Sequence, residues 1–165
     1  VLRESGIYAK GKRNSTFTEY YQDGVTPRKE TPMQQGKIDG TVKTYFRNGK
    51  IEAEKEYKQS VESGRERRFD SKTGEQIFES HYIDGKKDGE EWEIFEDAST
   101  LRSRIIRHYR NGKLDGSYRV ESTRDGKPYI TIEGQYTDGE KSGQWIEHNY
   151  DNNTQTCTWH GEGGA

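Results

Sequence analysis

Four constellations in this 165-residue chain have residue types that could do chemistry. Gly134 to Ser142 reads G-x-x-x-x-G-E-K-S, one residue away from a phosphate-binding loop. Such a loop cradles phosphate with backbone N–H groups at a helix start, and its lysine reaches the outer phosphates. Here Glu140 displaces the lysine and puts a carboxylate where phosphate would lie, and no helix-forming segment follows. His81 and His108 share a phase with Glu56 and suggest a metal row. Ligands two strands apart sit about 10 Å from one another, so Glu56 and His108 would be about 19 Å apart and could not converge on one ion. These residues are expected on the surface face, opposite a buried tyrosine row. Cys157 could pair with His148 or His160 as nucleophile and base, but nothing in the sequence orients the base or supplies an oxyanion pocket. The acidic run Glu90, Glu91, Glu93, Glu96 and Asp97 looks like a nucleic-acid mimic. On a strand it divides between two faces around Trp92, Ile94 and Phe95, and reads as a solvated face. No catalytic, metal or cofactor site is expected.

The elements that must carry these residues follow from composition and period. Only 27% of the residues are hydrophobic and 34% are charged, yet eleven Tyr, five Phe and three Trp are too many for a solvated polymer. A thin aromatic core fits a sheet that buries one face and wets the other. The net charge of -2 gives no basic excess for nucleic acid or for anionic lipid. No apolar run approaches a membrane span and no signal-peptide core is present. Because Val1 rather than Met opens the chain, an export signal could already be gone, and the compartment is left open. The single cysteine, Cys157, excludes an internal disulfide framework.

An apolar residue is followed seven positions later by a small one at Tyr8 and Ser15, Met33 and Gly40, Tyr57 and Gly64, Tyr82 and Gly89, Tyr109 and Gly116, and Tyr136 and Gly143. The starts are 25, 24, 25, 27 and 27 residues apart. A second glycine falls three positions after the start at Gly11, Gly36, Gly85, Gly112 and Gly139, and Ser60 interrupts the series. A later turn signal recurs at Asp23-Gly24, Asn48-Gly49, Thr73-Gly74, Asp125-Gly126 and Asn152-Asn153, with Asp97-Ala98 departing from it. Such dipeptides favour tight hairpin turns because they reach positive φ cheaply. Alternation before the unit starts marks half-buried strands: Ile51, Ala53, Lys55, Tyr57; Phe78, Ser80, Tyr82; Ser103, Ile105, Arg107, Tyr109; and Ile130, Ile132, Gly134, Tyr136. The second strand of each unit carries Phe17, Val42, Trp92, Tyr118 or Trp145 after the small residue. The expectation is one domain over residues 1–165, an all-β, elongated antiparallel meander of six two-stranded hairpin repeats. About twelve strands at ~4.8 Å would run roughly 55 Å.

The segments Tyr82 to Gly89, Tyr109 to Gly116 and Tyr136 to Gly143 resemble the MORN repeat in the variant form common in bacteria, and Tyr45 to Lys50 looks like its second half. The resemblance covers about Tyr8 to Trp159, with Met33 and Ser60 departing from the pattern, which puts the turns of those two units in question. It implies a single-layer or gently curled antiparallel sheet. For function it implies a binding scaffold, most often an antitoxin or immunity protein of the YwqK-like type, with no catalytic motif. A cognate toxin is therefore the expected partner. The alternatives are a membrane-associated or general scaffold, and a hydrolase with paired carboxylates on the sheet face. Aromatic and arginine residues anchor protein interfaces. The expected partner-binding residues are Arg65, Arg67, Arg68, Trp92, Glu96, Asp97, Arg102 and Arg104, where the regular turn chemistry fails.

Overall fold

The structure, a computed structural model, describes residues 3–96, 102–124, 127–149 and 153–161. Their regular elements are all strands, in chain order β1 (Glu4–Ser5), β2 (Tyr8–Ala9), β3 (Lys12–Arg13), β4 (Thr16–Tyr20), β5 (Pro27–Gln34), β6 (Lys37–Ile38), β7 (Gly40–Tyr45), β8 (Ile51–Lys58), β9 (Val61–Phe69), β10 (Gln76–Ile83), β11 (Lys86–Lys87), β12 (Gly89–Glu96), β13 (Arg102–Arg110), β14 (Lys113–Arg124), β15 (Lys127–Thr137), β16 (Glu140–Asn149) and β17 (Thr154–His160). The chain divides into two compact units, Val1–Lys86 and Lys87–Ala165. In the first, neighbouring strands run in the order β1, β4, β5, β7, β8, β9, β10; in the second they run β12 to β17 in sequence. Every registered pair is antiparallel, so the fold class is the expected all-β meander.

Each unit start leads into a turn whose two central residues both have positive φ, as in Asp84-Gly85 (48° and 77°) and Asn111-Gly112 (50° and 85°). That is the mirror-image turn that matches strand twist. The two units expected to depart keep it: Gln35-Gly36 has φ of 50° and 86°, and Gln59-Ser60 has 51° and 70°. Ser60 is held there by hydrogen bonds. Its amide donates to the Ile38 carbonyl (2.7 Å), and its Oγ accepts from the Ile38 amide (3.0 Å). The amide bond is the general rule. Gly36 donates to Arg13 O and Gly85 to Glu62 O in the first unit, and Gly112 to Lys87 O and Gly139 to Leu114 O in the second, all at 2.8–2.9 Å. Each turn is thus tied to the preceding repeat. The later turns are of another kind, because at Gly24, Gly49 and Gly74 only the glycine is left-handed. Asp97-Ala98, Asp125-Gly126 and Asn152 lie outside the described residues.

Among the described residues the buried apolar side chains are Phe17, Val42, Phe78, Ile106, Val120 and Trp145, and three of them, Phe17, Val42 and Trp145, belong to a row of side chains crossing each unit. It is formed by the residue two before each unit start and the residue two after the closing small residue. In the first unit Phe17 pairs with Thr31, Val42 with Lys55, Lys55 with Glu66 and Glu66 with Ser80. In the second Glu91 pairs with Arg107, Arg107 with Tyr118, Tyr118 with Gly134, and Trp145 with Thr158. Twice in the row a large ring meets a glycine. A Cβ on Gly134 would sit 2.3 Å from the Trp145 ring, and one on Gly6 would sit 2.5 Å from Phe17, so these large rings lie directly over glycine. The Tyr118, Tyr136 and Trp145 rings pack with centroids 5.2–5.7 Å apart.

Three expectations are corrected here. The unit-start tyrosines are in register, since Tyr57 faces Gly40, Tyr82 faces Gly64, Tyr109 faces Gly89 and Tyr136 faces Gly116, but they are half-buried and not the buried row. Strand alternation fails at bulges, where β8 skips Glu52 and β15 skips Thr131, as β5 skips Arg28 and β10 skips Ile77. Ile51 therefore faces Tyr45 and Ile130 faces Glu121, out of step with Ala53 and Ile132, because a bulge adds one residue to one strand. The acidic run is not simply solvated either, for Glu91 is only 2% exposed. In β12 the core position is Glu91, while Trp92 faces away from it.

Candidate binding face

Two carboxylates fill core-row positions that hold Phe17, Val42, Tyr118 and Trp145 elsewhere. A buried charge is tolerated only when it is paired and hydrogen-bonded. Glu66 accepts from Arg68 (2.9 and 2.8 Å) and from the Tyr82 hydroxyl (3.0 Å), and Lys55 Nζ lies 3.1 Å from it. Burial alone would raise its pKa, but the Arg68, Lys55 and Tyr82 hydrogen bonds outweigh that and hold it below the usual carboxylate value. Burial and the neighbouring Glu66 carboxylate push Tyr82 up to about 12. In the second unit Glu91 pairs with Lys87 and with Arg107 Nε (3.3 Å), and Arg107 also binds Glu93. Both clusters pair their own charges, although Ser80 Oγ, across from Glu66, and Arg107 Nε are buried without a hydrogen-bond partner. They are structural solutions to a polar core rather than vacant sites.

The opposite face of the second unit is the more exposed one. Across β12 and β13, Glu90 faces His108, Trp92 faces Ile106, Ile94 faces Arg104 and Glu96 faces Arg102. The Arg104 guanidinium stacks 4.4 Å from the Trp92 ring centre, and its Nε is buried with no hydrogen-bond partner. Ile106 is 7% exposed beneath this layer. Beside it runs a groove of about 340 Å³ lined by Glu90, His108, Ser117, Arg119, Glu133 and Gln144 among others.

Within the groove Ser117 Oγ lies 2.9 Å from His108 Nδ1, and His108 Nε2 lies 3.7 Å from Glu90. The order serine, histidine, carboxylate is that of an activated nucleophile. The setting lacks what acyl transfer needs besides. Ser117 and Glu90 are exposed, so water is not excluded, and β14 is laddered to a strand on each side, so its amides are not presented as paired oxyanion donors. The groove is lined mainly by polar side chains.

The other constellations disperse. His81 lies 3.8 Å from Glu79, while Glu56 accepts from the Arg65 amide (3.1 Å), and among the described residues no group of three or more His, Cys, Asp or Glu is placed to hold a metal. Both ring nitrogens of His148 are taken, by Glu133 (2.9 Å) and Gln155 (3.2 Å), and His160 packs on Trp145, so neither serves exposed Cys157. Gly134 to Ser142 is strand, turn and strand, with Lys141 Nζ 4.0 Å from the Trp145 ring centre.

The expected partner-binding residues divide. Trp92, Glu96, Arg102 and Arg104 share the open face of the second unit. Arg65 and Arg67 lie in β9 of the first unit, where Arg67 binds Glu54 at 2.9 Å. Arg68 points to the other side of that strand, bonded to Glu66 and 4.1 Å from the Phe78 ring centre. Asp97 lies outside the described residues. Sequence reasoning missed the groove residues His108, Ser117 and Arg119 as surface neighbours of Trp92. Cross-strand register was the missing signal. Compared with known proteins, the chain matches no family model and no curated protein.

Proposed function

We propose that this chain is a non-catalytic protein-binding scaffold whose partner is a bacterial toxin that it neutralises. The observation that carries the reading is the Trp92–Arg104 stack on a fully laddered sheet face. Tryptophan and arginine dominate interface energetics. A surface already fixed by strand pairing loses little entropy on binding. The buried, unpartnered Nε of Arg104 adds a donor whose satisfaction would favour a bound acceptor. The six-unit resemblance supplies the class of partner, since the bacterial repeat variant it points to is frequent among antitoxins.

The test is co-purification with the product of the adjacent gene from the native locus, followed by titration of the purified pair. Trp92→Ala and Arg104→Ala should each weaken binding by about 2 kcal/mol, roughly thirtyfold. Co-expression of the wild-type chain should restore growth of cells making that product. A neighbour that does not bind, or binds both variants unchanged, would sink the reading.

A further inference from the structure

Several strand arginines of this chain have a carboxylate of their own. Arg67 has Glu54 at 2.9 Å, Arg68 has Glu66 at 2.8 Å, Arg107 has Glu91 at 3.3 Å and Arg119 has Glu121 at 2.9 Å. Arg104 differs from all four. Its ladder neighbours are Ile94 on one side, which is apolar, and Glu121 on the other, whose carboxylate is turned to Arg119. Among the described residues the Arg104 guanidinium makes no ion pair and no hydrogen bond, and it lies instead against the Trp92 ring, 4.4 Å from its centre.

A guanidinium keeps its charge at any pH the fold meets, so this cation is not silenced by losing a proton. Nε is buried, which leaves the two Nη nitrogens as the donors for an incoming acceptor. They form a planar pair at the spacing of two carboxylate oxygens. Stacking on the indole sets that plane before anything binds, so little entropy is lost when an acceptor arrives.

The surroundings select the anion. Glu121 and Glu96 carry negative charge on the same face, and the neighbouring Arg102 faces Glu96. One uncommitted cation among carboxylates suits a single negative charge and disfavours the second charge of a phosphate. Ile94 and Trp92 offer apolar cover to the methylene groups of an acidic side chain. Building on the protein-binding reading above, on which this step rests, we infer that Arg104 is the receptor for a carboxylate of the partner, carried on an aspartate or glutamate side chain that lies along Trp92 and Ile94.

The site can be probed without the partner. In proton–nitrogen NMR spectra of the whole chain, N-acetylglutamic acid α-amide added at constant ionic strength should shift the Arg104 Nε–H and the Trp92 indole N–H, while the Nε–H signals of Arg67 and Arg119 stay in place. The glutamine analogue, similar in shape but uncharged, should move neither. No shift at Arg104, equal shifts at Arg67 and Arg119, or a larger shift with inorganic phosphate would overturn the inference even where a protein partner is found. With the co-purified partner, Arg104→Lys keeps the charge but loses the paired donors, and should raise the dissociation constant at least about tenfold. That loss should shrink when one acidic residue of the partner is changed to its amide. A partner with no acidic residue coupled to Arg104 would also overturn the inference. A chain that takes the capped glutamate at Arg104 yet binds no protein would end the proposed function and leave the carboxylate receptor in place.

Discussion

Lys55 faces Glu66 across β8 and β9, with Nζ 3.1 Å from the buried Oε2, at the two core-row positions that hold Thr31 and Val42 one repeat earlier. The same fold therefore accepts an ion pair or a threonine and a valine at one place in its repeat. The two solutions differ in what happens when half is removed. Lys55→Met leaves Glu66 buried with Arg68 and Tyr82 but without its ammonium partner, and should cost about 1–3 kcal/mol. The double replacement Lys55→Thr with Glu66→Val, which copies the earlier repeat, should lie within about 1 kcal/mol of the wild type. Urea unfolding of the three chains measures both differences.

Acid should find the same carboxylate. Glu66 holds its proton less tightly in the folded chain than in the unfolded one, so the unfolded state binds more protons as pH falls. Its contribution is complete above the ordinary carboxylate pKa of about 4.3 and is lost as pH drops through the lower folded value. The urea midpoint should therefore begin to fall as pH drops below the ordinary carboxylate pKa of about 4.3, and fall less in Glu66→Gln. In alkali the sign reverses for Tyr82 and Tyr45. Burial, with the Glu66 carboxylate beside Tyr82 and Glu30 beside Tyr45, raises both to about 12. The neutral phenols stabilise the fold below an ordinary tyrosine pKa of about 10, and that stability goes as pH rises through the folded value. Absorbance titration should show a late-ionising group of tyrosines that shrinks in Tyr82→Phe and again in Tyr45→Phe.

The period, the turn glycines and the hairpin order were legible because turn chemistry is local: a residue such as Gly85 at φ 77° announces itself by type. The core row was legible only in part. Counting two residues past the closing glycine finds Val42, Tyr118 and Trp145, but the same count finds Glu66 and Glu91, which look like surface until the arginines and lysines paired to them across strands are known. In β12 the neighbouring Trp92 masked this, since an aromatic beside a glutamate suggests the wrong inward face. The bulges at Glu52 and Thr131 are set by pairing with the next strand, and nothing local marks them. The groove beside Trp92 is likewise a matter of register, bringing Ser117 to His108 from nine residues away.

Gly134 tests the fit of Trp145 over a glycine in the core row. It carries no positive φ, so alanine is compatible with its backbone and only space decides the outcome. The added Cβ would lie 2.3 Å from Trp145, a side chain 4% exposed and packed against Tyr118 and Tyr136. Gly134→Ala should destabilise by about 1–3 kcal/mol through overpacking. Combined with Trp145→Val, which alone leaves a cavity, the two changes should cost less than the sum of the singles. A double-mutant cycle in urea that shows additivity would mean the indole is free to move aside.

Ser60 separates backbone strain from hydrogen bonding at a single residue. Its φ of 70° is a left-handed conformation that serine adopts at a cost and glycine adopts freely. In return its Oγ accepts from the Ile38 amide at 3.0 Å, a bond no glycine can make. Strain and one hydrogen bond are each worth about 1 kcal/mol, so Ser60→Gly should be nearly neutral. Ser60→Ala keeps the strain and loses the bond, leaving the Ile38 amide to water, and should cost about 1–2 kcal/mol. If alanine instead unfolds at the wild-type urea concentration, the side-chain bond contributes nothing and the backbone tie from Ser60 to the Ile38 carbonyl alone holds the turn.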